Sequence, residues 1–147
     1  ETAINEAQNV QAQLEEIGIH LQLEQLETNV YVDRWLDADF EAAMALNGGR
    51  PDPHQMYARY FTSGGNLNDV ATYSSDTLDT LFEQGLAETD EDARASIYAD
   101  ISWELLDAAP WAWLFTGYEY RVLQPEVSGF VPMPTGSLKS PRSVQLG

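Results

Sequence analysis

The sequence predicts an α/β unit in which helices alternate with strands, and three observations carry that prediction. Several stretches of helical length repeat apolar residues at three- and four-residue steps. Shorter stretches between them either alternate apolar with polar residues or are apolar throughout, as strands with one or two covered faces do. Glycine, proline and small polar residues separate the two kinds.

Residues 3–17 set Ala3, Ile4, Ala7, Val10, Leu14 and Ile17 on one stripe among Glu and Gln, which predicts an amphipathic helix. Gly18 stops it. Ile19, Leu21 and Leu23 then alternate with His20, Gln22 and Glu24, the pattern of a strand with one wet face. Thr28 is placed to cap a second helix running to about Leu36, with Val30, Tyr31 and Trp35 available for its buried side. Beyond Asp37 and Asp39, residues 40–46 are short and mostly apolar and suit a covered strand, although Ala42, Ala43 and Ala45 leave helix open.

Asn47-Gly48-Gly49-Arg50-Pro51-Asp52-Pro53 combines two glycines with two prolines, so it is a loop. Asp52 is placed to cap a helix from Pro53 to about Phe61, since proline loses nothing at the first helical position. Residues 62–68 are small and polar and read as another loop. Residues 75–85 and 90–107 predict two further helices, the second with Ala93, Ile97, Ile101 and Leu105 at four-residue steps. Pro110 precedes a covered strand at 111–115. Beyond Arg121, Pro125, Pro132, Pro134 and Pro141 leave only short extended pieces. Trp35, Trp103, Trp111 and Trp113 sit at periodic positions and are expected in the core.

A chain of 147 residues with 44% hydrophobic content can bury a core in one globular unit. No run approaches the roughly 20 apolar residues that span a bilayer, and Glu1 opens no signal segment, so direct membrane insertion is not expected. With no cysteine there is neither a disulfide nor a thiolate metal site. The net charge is −17, from 24 acidic and seven basic residues, with Lys139 the only lysine. That surface repels phosphates, which excludes nucleic acid and anionic lipid as partners. It fits either a high-salt habitat or an ordinary acidic face.

The sequence has no Gly-x-Ser-x-Gly elbow, phosphate-cradling glycine loop or zinc motif. Asp37, Asp39, Asp52 and Glu119 could in principle supply the acid-base pair of a glycoside hydrolase, but among 24 acids some lie close together by chance. His54 invites a metal reading, yet one histidine without a thiolate makes a poor protein-built site, and His20 stands alone on a wet face. No metal or other cofactor is expected, and no enzymatic activity.

Several residues at the joints of these segments recur in a particular order. They are Leu14-Glu15-Glu16-Ile17-Gly18-Ile19, Asp39-Phe40, Asp52-Pro53, Asn68, Tyr73 and Asp79. Arg94, Tyr98 and Pro110 follow, then Val127-Ser128-Gly129-Phe130, Pro134 and Gly136. In this order and spacing the chain resembles the carboxy-terminal portion of the family 5 extracellular solute-binding proteins of ABC importers, which carry oligopeptides, dipeptides and nickel chelates. The resemblance extends over essentially the whole sequence.

It implies an α/β fold of the type II periplasmic-binding-protein-like kind, two lobes closing like a clamshell, of which this chain would be mostly one, with helices packed on a mixed sheet. Residues 1–125 would then be most of the carboxy-terminal lobe, incomplete at its start, and residues 126–147 a tail returning toward the first lobe. The first lobe and any signal peptide would lie upstream. The implied function is capture of a small solute, whether peptide, chelate, acid or sugar, for delivery to an ABC permease at the periplasmic or extracellular side of the cell envelope. The alternative within the same fold is a regulatory domain that senses a solute without transporting it.

The resemblance also implies the site. It turns Leu46, Asn47, Gly48, Gly49 and Arg50 toward the cleft, with Gly117 and Tyr118 at the cleft end of the 111–115 strand. Tyr118 could stack on a solute or simply pack. Gly48 and Gly49 could serve only to turn the chain, and Arg50 to neutralise nearby acids. Peptide-binding relatives place an aspartate for the peptide's amino terminus three residues before the Asp-Pro pair, where this chain has Gly49. Without that counter-charge a buried ammonium is costly, which speaks against an ordinary free-amine dipeptide. Arg50 offers a planar fork of donors suited to carboxylate or phosphate, and so to an anionic or chelated solute.

Overall fold

A computed structural model describes residues 2–47, 49–118, 120–133 and 140–147. The chain divides into two compact units, Glu1–Gly48 and Gly49–Gly147. The division falls between the paired glycines of the 47–53 loop, where the backbone has no Cβ to restrict it.

In the first unit, α1 (Thr2–Glu16) follows the predicted stripe, with Ala3, Ile4, Ala7, Val10 and Leu14 half-buried. Gly18, at φ +81°, closes it with a Schellman pair: its amide donates to the Glu15 carbonyl and that of Ile19 to the Leu14 carbonyl. α2 (Thr28–Leu36) is capped one residue earlier than expected, because the Glu27 carboxylate accepts from the Asn29 amide. It ends in the same kind of closure with Ala38 at φ +53° in the glycine position. Tyr31 and Trp35 are half-buried, but Val30 is exposed, and no described residue of α1 or α2 is fully buried. The Tyr31 hydroxyl donates to the Met44 carbonyl, and burial pushes its phenol pKa up.

The second unit holds the core. α3 (Pro53–Phe61) starts and stops where the sequence predicts, with the Asp52 side chain accepting from the Gln55 amide and Pro53 inside the first turn. A short α4 (Asn68–Ala71) follows, which the sequence reading missed. α5 (Asp76–Ala87) is capped by Ser75 and α6 (Glu91–Ala108) by Asp90. Met56, Tyr60 and Phe61 of α3, Val70 and Ala71 of α4, Leu78 and Phe82 of α5, and Ile101 and Leu105 of α6 form the buried interior. Gly85 on α5 is buried too, and a Cβ there would stand 2.9 Å from the Tyr98 ring of α6.

The joints around this core are hydrogen-bonded by residues that carried the resemblance. The Asn68 amide group donates to the carbonyls of Tyr60 and Tyr73, tying the end of α3 to the turn before α5. Asp79 accepts from the amide and hydroxyl of Ser63. Neighbouring carbonyls crowd Gly65, where a Cβ would meet the Arg59 oxygen at 2.4 Å.

The expected strands at 19–24, 40–46 and 111–115 form no ladder among the described residues. The described sheet is β1 (Val127–Ser128) antiparallel to β2 (Gln145–Leu146), with a 3₁₀ turn (Ser140–Ser143) before β2. A strand needs a partner for its backbone groups, and sequence alternation records only which side chains share a face. Trp111 nevertheless packs as expected: its ring lies 4.9 Å from Tyr60 and 4.8 Å from Phe61. Trp113 reaches Tyr57 at 5.8 Å while remaining partly exposed. Trp103 is 72% exposed, contrary to expectation. It sits two residues from Ile101, about 200° around α6 from the buried stripe. Pro134, Gly136 and Lys139 lie outside the described residues.

Candidate functional site

The loop of interest is built from its downstream end. Asp52 divides its carboxylate between two tasks: Oδ1 accepts from the Gln55 amide and caps α3, while Oδ2 accepts from Arg94 Nη2 at 2.9 Å. Arg94 Nε donates to the Gly85 carbonyl at 2.9 Å, and the guanidinium lies 4.7 Å from the centre of the Tyr98 ring. Burial acts to raise the Asp52 pKa, but the Gln55 amide, the Arg94 hydrogen bond and charge, and the His54 amide outweigh it and hold the carboxyl below its ordinary range. For Tyr98, burial is the largest effect and raises the phenol pKa, with Arg94 opposing. Asp52 is thus the helix cap that its place before Pro53 suggests, and it is an ion-pair partner besides.

Upstream, the side chains turn outward. Arg50 and Gly49 are exposed, and a Cβ at Gly49 would meet open space. Leu46 is 67% exposed and Asn47 is exposed, both in the first unit. Gly48 lies outside the described residues. In the second unit, Gly117 borders open space and Tyr118 is 88% exposed, its ring 6.4 Å from that of Tyr120. Leu114, Phe115, Val122 and Leu123, near Tyr118 in sequence, are also exposed. The available chemistry is therefore that of contact: an exposed guanidinium fork able to take a carboxylate or phosphate, and an exposed phenol ring able to stack.

The other candidates have structural partners. Asp39 pairs with Arg34 Nε at 3.0 Å, Asp37 closes α2, and Glu119 lies outside the described residues. His54 packs edge-on against Phe82, and its Nδ1 is buried without a hydrogen bond. Among the described residues no cluster of three or more His, Cys, Asp or Glu could hold a metal ion. Asn68, Asp69, Thr72, Tyr73 and Ser74 line an open polar depression without the apolar walls that enclose small ligands. Arg94 and Tyr98 are among the residues that carry the resemblance, but nothing in the sequence ties them to the loop. The glycine inside α5 is the one local signal of that packing.

No family model matches the sequence, and no solved structure matches it. Among curated proteins, the probable D,D-dipeptide-binding periplasmic protein DdpA of Escherichia coli is 28% identical over 129 residues. The chain is similar to a periplasmic dipeptide-binding protein. The likeness takes in 84% of this chain, which spans about a quarter of the relative's length, 25%. The relative's name describes it as a binding protein. Among the described residues no helix is long and apolar enough to cross a membrane.

Proposed function

We propose that this chain is the carboxy-terminal part of the solute-binding protein of an ABC importer, and that it acts by binding without covalent chemistry. The observation that carries the reading is the likeness, along 84% of the chain, to a protein described as dipeptide-binding and periplasmic. In this proposal the fold is one jaw of a clamshell, with residues 126–147 reaching toward the other. The exposed apolar residues between Leu114 and Leu123 support it, because they suit a strand covered by neighbours that a longer chain would supply. Closure on a solute touching both lobes would stabilise the closed state by differential affinity, and the closed form would dock on a membrane permease outside the cytoplasm.

Within the jaw, Leu46, Asn47, Gly48, Gly49 and Arg50 would meet the solute, and so would Gly117 and Tyr118. Arg50 would receive a carboxylate or phosphate, and Gly49 leaves no counter-charge for a free amine. Native purification of the full-length protein followed by mass spectrometry of what it carries tests both levels. A chelate, acid or sugar is the expected cargo. An ordinary free-amine peptide would overturn the Gly49 and Arg50 reading and leave the transport reading standing, whereas turnover of the cargo would overturn binding without chemistry. The chain alone should bind such a cargo weakly or not at all; a tight one-to-one complex would show that a single jaw suffices.

A further inference from the structure

Arg94 stands 42 residues from Asp52 in sequence, yet its guanidinium is the meeting point of three elements. Nη2 reaches Asp52 at the head of α3, Nε reaches the Gly85 carbonyl of α5, and the plane lies over Tyr98 of its own α6. A fork with fixed donor directions holds two acceptors and a ring face at once, which a lysine ammonium does not. Gly85 has no side chain and so lets Tyr98 approach, and Tyr98 in turn supports the guanidinium plane.

Asp52 is flanked by Pro51 and Pro53, whose rings fix their own φ angles, and Pro51 also restricts Arg50 to extended backbone. Few free torsions therefore separate the carboxylate gripped by Arg94 from the backbone of Arg50. Upstream, a Cβ at Gly49 would meet no atom within 4 Å.

We propose that Arg94 is a positioning residue: by holding Asp52 against the α5–α6 pair it sets where Arg50 is presented. The inference rests on reading the 46–50 loop as the part that meets solute, and it adds the residue that aims the loop. A plain structural staple would act differently, stiffening α5 and α6 and leaving Arg50 indifferent.

The test is backbone amide relaxation by NMR on this chain, comparing wild type with Asp52→Asn, Arg94→Gln and Arg94→Lys. Asparagine caps helices about as well as aspartate, so Asp52→Asn keeps α3 and removes only the charge that Arg94 grips. In wild type, Arg50 and Asp52 should show order parameters near those of α6, about 0.85. In Asp52→Asn and Arg94→Gln they should fall below about 0.6 while α5 and α6 stay rigid, with Arg94→Lys between. Unchanged order at Arg50 in Asp52→Asn, or an equal loss across α5 and α6 in Arg94→Gln, would overturn the proposal. If Arg94→Gln fails to fold, Asp52→Asn still decides. The measurement is blind to cargo, so a cargo that ignores Arg50 would sink the functional reading alone, and a rigid Arg50 in Asp52→Asn would sink the positioning alone.

Discussion

α1 and α5 are amphipathic helices of fifteen and twelve residues, yet Leu78 and Phe82 of α5 are shut away from solvent while every described residue of α1 keeps some exposure. Their sequences do not foretell the contrast, since both carry apolar residues at helical steps. The difference lies in company. α5 packs against α3 and α6, and the three interlock through Gly85, Tyr98 and Arg94. A periodic stripe specifies which face a helix would bury; whether the face is buried depends on what the rest of the chain brings to it.

The sharpest way to break this comparison is to cut the same side chain from both helices. Leu78→Ala should cost about 3–5 kcal/mol, the transfer term plus a cavity, whereas Leu14→Ala should cost no more than about 1 kcal/mol. Urea unfolding of the two variants measures both, and equal losses would mean that α1 is as well packed as α5. Native-state hydrogen exchange sharpens the contrast. Amides inside α5 and α6 should be protected at least about 100-fold more than those inside α1, a gap of about 2.7 kcal/mol.

Gly85→Ala probes the interlock. The new methyl meets the Tyr98 ring at 2.9 Å, and about 1–3 kcal/mol of overpacking is offset by about 1 kcal/mol of helix propensity, leaving a net loss. A gain in melting temperature would show that the ring yields freely.

A smaller effect is expected from acid. The Asp52 pKa is lowered in the folded chain, so its contribution is complete above the ordinary aspartate range and is lost as pH falls through the lowered value. Asp52→Asn should remove that part of the acid slope and leave α1 untouched, as pH titrations of far-UV circular dichroism would register. The smallest change expected is a gain. Ala109 ends α6 at φ +48°, where glycine is at ease, and Ala109→Gly should stabilise by about 0.5 kcal/mol in urea unfolding.

The helices of the second unit were legible because their ends are written locally, in Asp52-Pro53 and Asp90, and the stripe of α6 in Ile101 and Leu105, which are buried, and Ile97, which is half-buried, although Ala93 is exposed. α4 was not, for its four residues are too few to show a period. The alternation at 19–24 leaves Leu21 half-buried but Ile19 and Leu23 exposed, because an alternating pattern says nothing of a pairing partner. Trp103 was misplaced because tryptophan suggested a core position, whereas its angle around α6 from Ile101 decided its exposure. For the candidate site, the loop itself was plain from its glycines and prolines. Its tie to Arg94 was not, since an ion pair spanning 42 residues leaves no local pattern.

The aromatic seam has an optical consequence. Trp111 and Trp113 stand with ring centres 5.1 Å apart and planes inclined by 53°, close enough for their excited states to couple. Trp103, in the same chain, faces water. The near-ultraviolet dichroism should therefore carry a paired signature from the seam, while the reddest part of the emission comes from Trp103. Detachment of residues 111–115 from α3 would erase the first and spare the second, so ordinary light distinguishes a loosened segment from an unfolded chain.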